Sequence, residues 1–273
     1  MLTMARFAEL VRAGLPKNVA ERWIGRAEPD GYRLFAASAG EVAVGVLGGE
    51  PSLPDGVEWP YWEGHGPLSF IASLECAALP GVGFPQDGKL LFFYFDGRAD
   101  DFASYVNASD PETFAGARVL YVPDGTEAEP RRTPEPLSPY GPVPLRAEAA
   151  MDSVRITDEE VWEPLGLTED DLDRIAHFEY VLFEAEEKGH QVGGEPQHIQ
   201  HPVALGIAET ILRTRSEDRL WSEADRWILL AQIAGDKEAG MEWGDGGLLY
   251  WMIRYEDLKA HRFDRARFDW QSH

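Results

Sequence analysis

The chain has little cysteine, little positive charge and no long uninterrupted apolar run, and each shortage closes off a class of protein. Its 273 residues include one cysteine, Cys76, which excludes an internal disulfide and any thiolate-rich zinc site. Cys76 follows an apolar run and is expected to be a small buried hydrophobe, not a nucleophile. Lysine and arginine number 25 against 48 aspartates and glutamates, a formal charge of −23. Such a balance repels phosphate backbones and anionic bilayers, so neither nucleic acid nor a membrane is an expected partner. No segment reaches the roughly 18 apolar residues of a membrane span, and Arg6, Glu9 and Arg12 interrupt the N-terminal stretch where a signal core would lie. A cytoplasmic, bacterial-type protein is the expectation.

Reaction signatures are scarce as well. There is no Gly-x-Ser-x-Gly elbow, no Gly-x-Gly-x-x-Gly turn and no phosphate-binding loop ending in Gly-Lys-Ser/Thr. His190, His198 and His201 are close in sequence but span two glycines and a proline, without the i, i+4 or i, i+2 spacing that makes ligands converge. Asp236, Glu238, Glu242 and Asp245 lack the Asp-x-Asp-x-Asp-Gly order of a calcium loop and read as a solvated turn. Neither a metal, a cofactor nor a catalytic residue is assigned.

What the chain does have is a pattern that occurs twice. Gly48-Gly49-Glu50-Pro51 precedes the apolar runs Leu68–Leu74 and Leu90–Phe95; Gly193-Gly194-Glu195-Pro196 precedes Trp227–Ile233 and Leu248–Ile253. Ile71 lies twenty residues before Leu91 and Leu229 nineteen before Leu248, a near-equal spacing that points to a repeated supersecondary unit. With 44% hydrophobic residues the chain can bury a substantial core. The expected fold is α+β and internally duplicated, with two related, mainly antiparallel sheet units, peripheral helices and a helical N-terminus. The halves are expected at about 32–122 and 190–270, within a single domain over 1–273. A proline-rich connector over 123–144 and helices over about 158–188 join them.

Local signals fill this frame. Met4, Phe7, Leu10 and Val11 share a helical face that Gly14-Leu15-Pro16 ends, and Lys17–Ala27 continues as a second helix with Val19, Ala20, Trp23 and Ile24 inward. Tyr32–Ala37 and Glu41–Leu47 read as strands. Pro51–Pro67 is an irregular loop whose Trp59, Tyr61 and Trp62 are expected to seal a sheet. Leu90, Phe92 and Tyr94 share one face of a strand that is apolar on both sides, opposite Leu91, Phe93 and Phe95. Arg118–Val122 and a segment within Phe263–Trp270 are further strands. Thr157-Asp158-Glu159-Glu160 is a capping box, Glu169–Lys188 a long helix, Val203–Thr214 a helical insert and Glu256–Ala260 a closing turn.

Several of these stretches together resemble a known family. Leu47 to Pro54, Trp59-Pro60, Pro67 to Ala72 and Gly88 to Tyr94 are similar to the N-terminal signature of the YwqG-like family. Gly193 to Pro196 with Gln200, Trp227 to Ile233, Trp243 to Trp251 and Asp257-Leu258 are similar to its C-terminal signature. The resemblance spans Arg33–Phe268, with Ser73 standing where the family pattern usually has glutamine. It implies a duplicated α+β protein of unassigned function, and a conceivable role as an immunity or accessory protein of a toxin system. It brings no activity, cofactor or catalytic residue.

If the halves pack about a pseudo-twofold axis, Glu50 and Glu195 occupy related positions, and Trp59, Gln200, Gln232, Trp243 and Asp245 line a groove between them. Glutamine inside the apolar run at 232 needs a hydrogen-bond partner, since leaving it buried and unpaired costs roughly 1–3 kcal/mol. The glycines of each Gly-Gly-Glu-Pro are expected at positive φ, and the glutamates to cap amides. The leading expectation is a non-enzymatic binding or interaction module whose acidic surface meets a basic protein or a small molecule. The alternative is a small-molecule hydrolase using Glu50, Glu195 and Asp245 as acid and base.

Overall fold

A computed structural model describes residues 1–151, 178, 180–182, 185 and 188–273 of the chain. The capping box at 157–160 and most of the helix expected over 169–188 lie outside the described residues. The strands are β1 (Gly31–Ala36), β2 (Gly45–Leu47), β3 (Ser69–Glu75), β4 (Lys89–Tyr94) and β5 (Ala117–Val122), followed by β6 (Val143–Met151), β7 (His190–Gly193), β8 (Trp227–Ala234), β9 (Leu248–Arg254) and β10 (Arg267–Gln271). They form one sheet in the order β10-β9-β8-β7-β1-β6-β2-β3-β4-β5, and the short strand Leu2–Thr3 also pairs with β6. Every pairing along this path is antiparallel.

The order has a regularity. Each of the first five strands has a counterpart five places later, at the mirrored position about the central β1–β6 pair. Consequently β1 lies beside β7 and β6 beside β2, so the first strand of each set pairs with the second strand of the other. The irregularities match too. The β3–β4 register slips at Ile71 and the β8–β9 register slips at Leu230. Ile71 precedes Phe92 by 21 residues and Leu230 precedes Trp251 by 21, so the near-equal spacing of the sequence becomes equal once the bulges are taken as the reference points. A bulge adds one unpaired residue and sharpens local twist, which bends each sheet half at the same place.

The sheet curls into a nearly closed barrel. Phe92 of β4 meets Trp251 of β9 with ring centroids 5.3 Å apart, and Tyr94 stacks on Phe268 of β10 at 4.5 Å. Leu90, Phe92 and Tyr94 thus face inward, as the alternation predicts. The opposite face of β4 is covered by the 51–67 loop, where Trp59 stands edge-on to Phe93 at 5.5 Å and Trp62 edge-on to Phe95 at 5.1 Å. On the other half, α3 (Val203–Leu212) supplies the cover, with Val203 and Ile207 against Leu229, Tyr250 and Met252. The N-terminal helices α1 (Met4–Gly14) and α2 (Lys17–Ile24) form a separate cluster in which Phe7 and Trp23 pack edge to face at 5.2 Å. Cys76 is buried, and burial pushes its thiol up to about 12.

Three local expectations need correction. The strand expected from Glu41 is present only over Gly45–Leu47, and Val42, 82% exposed, contributes little to the core. The proline-rich stretch is more than a connector: Ala128–Pro130 pairs with Ser52–Pro54, and β6 begins at Val143 in the middle of the sheet. A helix not anticipated, α4 (Glu217–Ala224), precedes β8.

Candidate functional site

The seven residues singled out from the sequence fall in different places. Both glycine pairs adopt positive φ (60° and 75° at Gly48 and Gly49, 68° and 63° at Gly193 and Gly194). Glu50 accepts a hydrogen bond from the Thr133 amide at 3.2 Å, and Trp59 donates to the Leu68 carbonyl at 2.8 Å. Gln232 is fully buried and saturated by protein: its carbonyl accepts from the Gln197 amide, and its amide donates to the Gly189 carbonyl and to Gln197 Oε1. Glu195 joins the same neighbourhood through its backbone carbonyl, which accepts from Gln191 at 2.8 Å. Displaced water and then the charge of Asp30 push the Glu195 carboxyl above its ordinary value.

Gln200 and Asp245 both hold the C-terminal end of the chain. The Gln200 side chain donates to the Ser272 carbonyl, and the Asp245 carbonyl accepts from the His273 amide. Trp243 is buried between Tyr94 and Tyr140. None of the seven lines the pocket described next. The histidines are tied up separately. His190 lies 3.5 Å from Asp236, whose carboxyl is held low first by that contact, and His201 lies 3.7 Å from Asp269. Among the described residues no group of three or more His, Cys, Asp or Glu is arranged to hold a metal ion.

A pocket of about 420 Å³ opens between two loops of the first half. One wall is the hairpin in which Tyr61–Trp62 pairs with Gly66–Pro67. Its turn is closed by the His65 amide bonding to the Trp62 carbonyl at 2.9 Å, and Gly64 takes φ 81°, a left-handed value that a Cβ would strain. This turn lays the His65 ring flat on the Trp62 indole, with centroids 3.8 Å apart.

The other wall is Ala103–Thr113. Asp110 caps the short 3₁₀ helix Pro111–Gly116 by accepting from the Glu112 amide, with proline at its start. The Thr113 hydroxyl lies within 2.9 Å of the Asn107 carbonyl and 2.8 Å of the Asp110 carbonyl, donates its one proton between them, and accepts from the Asn107 amide. These bonds order a wall that has no regular strand. Where the helix ends, Gly116 passes so close to Trp62 and Val106 that a Cβ would come within 2.4 Å of Val106 and 3.0 Å of the indole. The site is therefore built on packed elements.

Its chemistry is one-sided. Trp62, His65 and Tyr105 supply aromatic surface, Asp110 and Glu112 supply carboxylates, and no lysine or arginine is among the lining residues. Glu63, Asp100 and Asp101 belong to the same loops, and one Asp100 oxygen is shielded from solvent without a hydrogen-bond partner. Among the described residues none of these five acids makes an ion pair, whereas Arg6, Arg12, Lys89, Arg98, Arg146 and Arg254 each pair with an acid elsewhere. Ser104 and His65 Nδ1 share a hydrogen bond at 2.9 Å across the pocket mouth. A serine nucleophile needs a base that a third group orients, and among the described residues the other nitrogen of His65 has no partner. The bond ties the two walls together.

The sequence model of a family described as a domain of unknown function, DUF1963, matches residues 46–272. The chain belongs to the DUF1963 family. A comparison with curated proteins finds no match. The DUF1963 region runs from β2 to the end of β10 and so contains both loops of the pocket and the strands β2 to β10. Of the pocket, only Trp62 was singled out by sequence reasoning, as a plug. The signals that could have found the rest were Asp110-Pro111 as a helix start and Gly64 and Gly66 flanking His65.

Proposed function

We propose that this DUF1963 protein is a non-enzymatic binding module that takes a cationic group, an ammonium or a guanidinium, into the pocket between Trp62–His65 and Ala103–Thr113. The single observation that carries the proposal is the composition of that pocket: aromatic faces and two unpaired carboxylates with no basic side chain among its lining. A cation over an aromatic face gains roughly 0.5–1 kcal/mol when exposed and about 2 or more when desolvated, and a nearby carboxylate adds Coulomb attraction. The overall charge of −23 raises the local concentration of cations and steers a basic partner towards the protein. The same field disfavours nucleic acid. Among the described residues no helix is long and apolar enough to cross a membrane.

The YwqG-like signature and an internal duplication belong to the same proposal. The mirrored strand order and the equivalent bulges at Ile71 and Leu230 support two copies of a five-strand unit that have exchanged their first strands. The copies diverge on their outer faces, loop against helix, and only the loop-covered copy carries the pocket.

Calorimetric titration with arginine amide tests the function. Binding is expected to weaken as salt rises, and the double variant Asp110→Asn, Glu112→Gln is expected to weaken it at least about tenfold, or ~1.4 kcal/mol. Affinity unchanged in that variant would remove the pocket from the account.

A further inference from the structure

The two loops that wall the pocket also present large aromatic side chains to solvent. Tyr61 is 60% exposed beside Trp62, Tyr105 is 61% exposed at the pocket itself, and Phe102 is 74% exposed. Phe102 has φ +62° and Asp101 φ +55°, two successive residues in the left-handed region. A bulky residue there is a conformational outlier, and such strain persists where the surrounding structure enforces it. Here the Phe102 amide bonds to the Gly97 carbonyl at 2.8 Å and Gly97 itself has φ 84°. The turn therefore holds a phenyl ring outward at a strained position where it contributes little to the core. Exposed aromatics beside a concave site are the composition of a protein-binding surface, in which aromatic anchors supply most of the energy.

We propose that this face docks a basic segment of another protein, with one arginine or lysine side chain in the pocket and the apolar neighbours of that residue over Phe102 and Tyr61. The inference rests on the cation-binding proposal and adds the kind of partner. Charge complementarity selects the occupant. A second copy of this acidic chain would bring like charge to Glu63, Asp101, Asp110 and Glu112, and an acidic or neutral peptide would leave the two lining carboxylates without a counter-charge. A free amine would satisfy the carboxylates but leave the aromatic ring surface at Tyr61 and Phe102 exposed. The extended arginine side chain carries its charge several bonds from its backbone, so the flanking residues of the partner remain at the rim.

The test compares arginine amide with the acetylated, amidated tripeptide Leu-Arg-Leu by calorimetry on the full chain, with Leu-Glu-Leu as the acidic control. The basic tripeptide is expected to bind at least tenfold more tightly than arginine amide, and the acidic one not at all. Phe102→Ser and Tyr61→Ser, both at exposed positions, are expected to bring the tripeptide down to the arginine amide level while leaving arginine amide binding as it is. A tripeptide that binds no better than arginine amide, or one whose advantage survives both substitutions, would overturn the docking proposal and leave a small-cation site. Absence of binding by either ligand would overturn the cation site and the docking proposal together.

Discussion

Replacing Glu223 by leucine is expected to lower the unfolding free energy by about 3–5 kcal/mol, the range for removing one partner of a buried ion pair. Glu223 lies on α4 with its side chain 7% exposed, and it is the hub of four contacts. Arg254 donates to Oε1 from Nε at 2.9 Å and from its terminal nitrogen at 2.5 Å, the Trp227 indole donates to the same oxygen at 2.9 Å, and Arg226 pairs with Oε2 at 3.0 Å. Arg254 ends β9 and Trp227 starts β8, so one carboxylate pins a helix to the ends of two neighbouring strands. Leucine has a similar volume but leaves the Arg254 guanidinium, itself largely buried over the Trp227 ring, without its counter-charge. Glu223→Gln keeps an acceptor for Trp227 and Arg254 and is expected to cost less, about 1–3 kcal/mol, as loss of a charged hydrogen bond. Urea denaturation followed by fluorescence gives both values from the midpoint shift, provided the slope is unchanged.

Gly48→Ala is expected to destabilise by about 3–4 kcal/mol and Gly49→Ala by only about 1–2, although the residues are adjacent and both lie at positive φ. The left-handed backbone alone costs a non-glycine residue roughly 1–2 kcal/mol. At Gly48 a Cβ would also stand 2.4 Å from the Gly141 carbonyl and 2.9 Å from Tyr140, on the segment that leads into β6. At Gly49 the nearest atom is a proline side-chain carbon at 3.3 Å. The difference between the two substitutions isolates the backbone approach from the φ requirement. Equal costs would mean that the chain segments can separate without penalty. Gly193, where a Cβ would stand 2.9 Å from the Asp30 carbonyl, is the corresponding point in the second half.

What the sequence disclosed follows from how completely each strand is buried. The strands β3, β4, β8 and β9 are apolar on both faces, because the barrel interior takes one face and a loop or helix covers the other. Their runs stand out without any structural help. Strand β6 is equally central in the sheet yet did not stand out. Pro142 and Pro144 flank Val143, and Arg146 and Glu148 lie on a partly exposed face, where Arg146 pairs with Glu148 and Glu41 and stacks over Phe35 at 4.8 Å. A strand covered by ion pairs instead of apolar groups has the composition of a loop. Its position also depends on long-range pairing with β1 and β2, which no local pattern encodes.

A groove lined by the seven candidates requires that equivalent positions converge. Each Gly-Gly-Glu-Pro has its own surroundings, Thr133 and Gly141 for the first and Asp30, Gln191 and Val82 for the second. Gln232 shows the same lesson at one residue. Its need for a partner is legible, but the partners are the Gly189 carbonyl and the backbone amide and side-chain oxygen of Gln197. The pocket is not legible in the sequence because it joins Trp62 and His65 to residues some forty positions later, and neither loop carries a recognisable motif alone.

The most direct test is a crystal structure of the protein grown with saturating arginine amide. A guanidinium is expected between the aromatic surface of Trp62 and Tyr105 and the carboxylates of Asp110 and Glu112, with the 62–65 turn and the 103–113 wall in their present positions. A well-ordered, empty pocket under those conditions, or arginine amide bound only elsewhere, would contradict it.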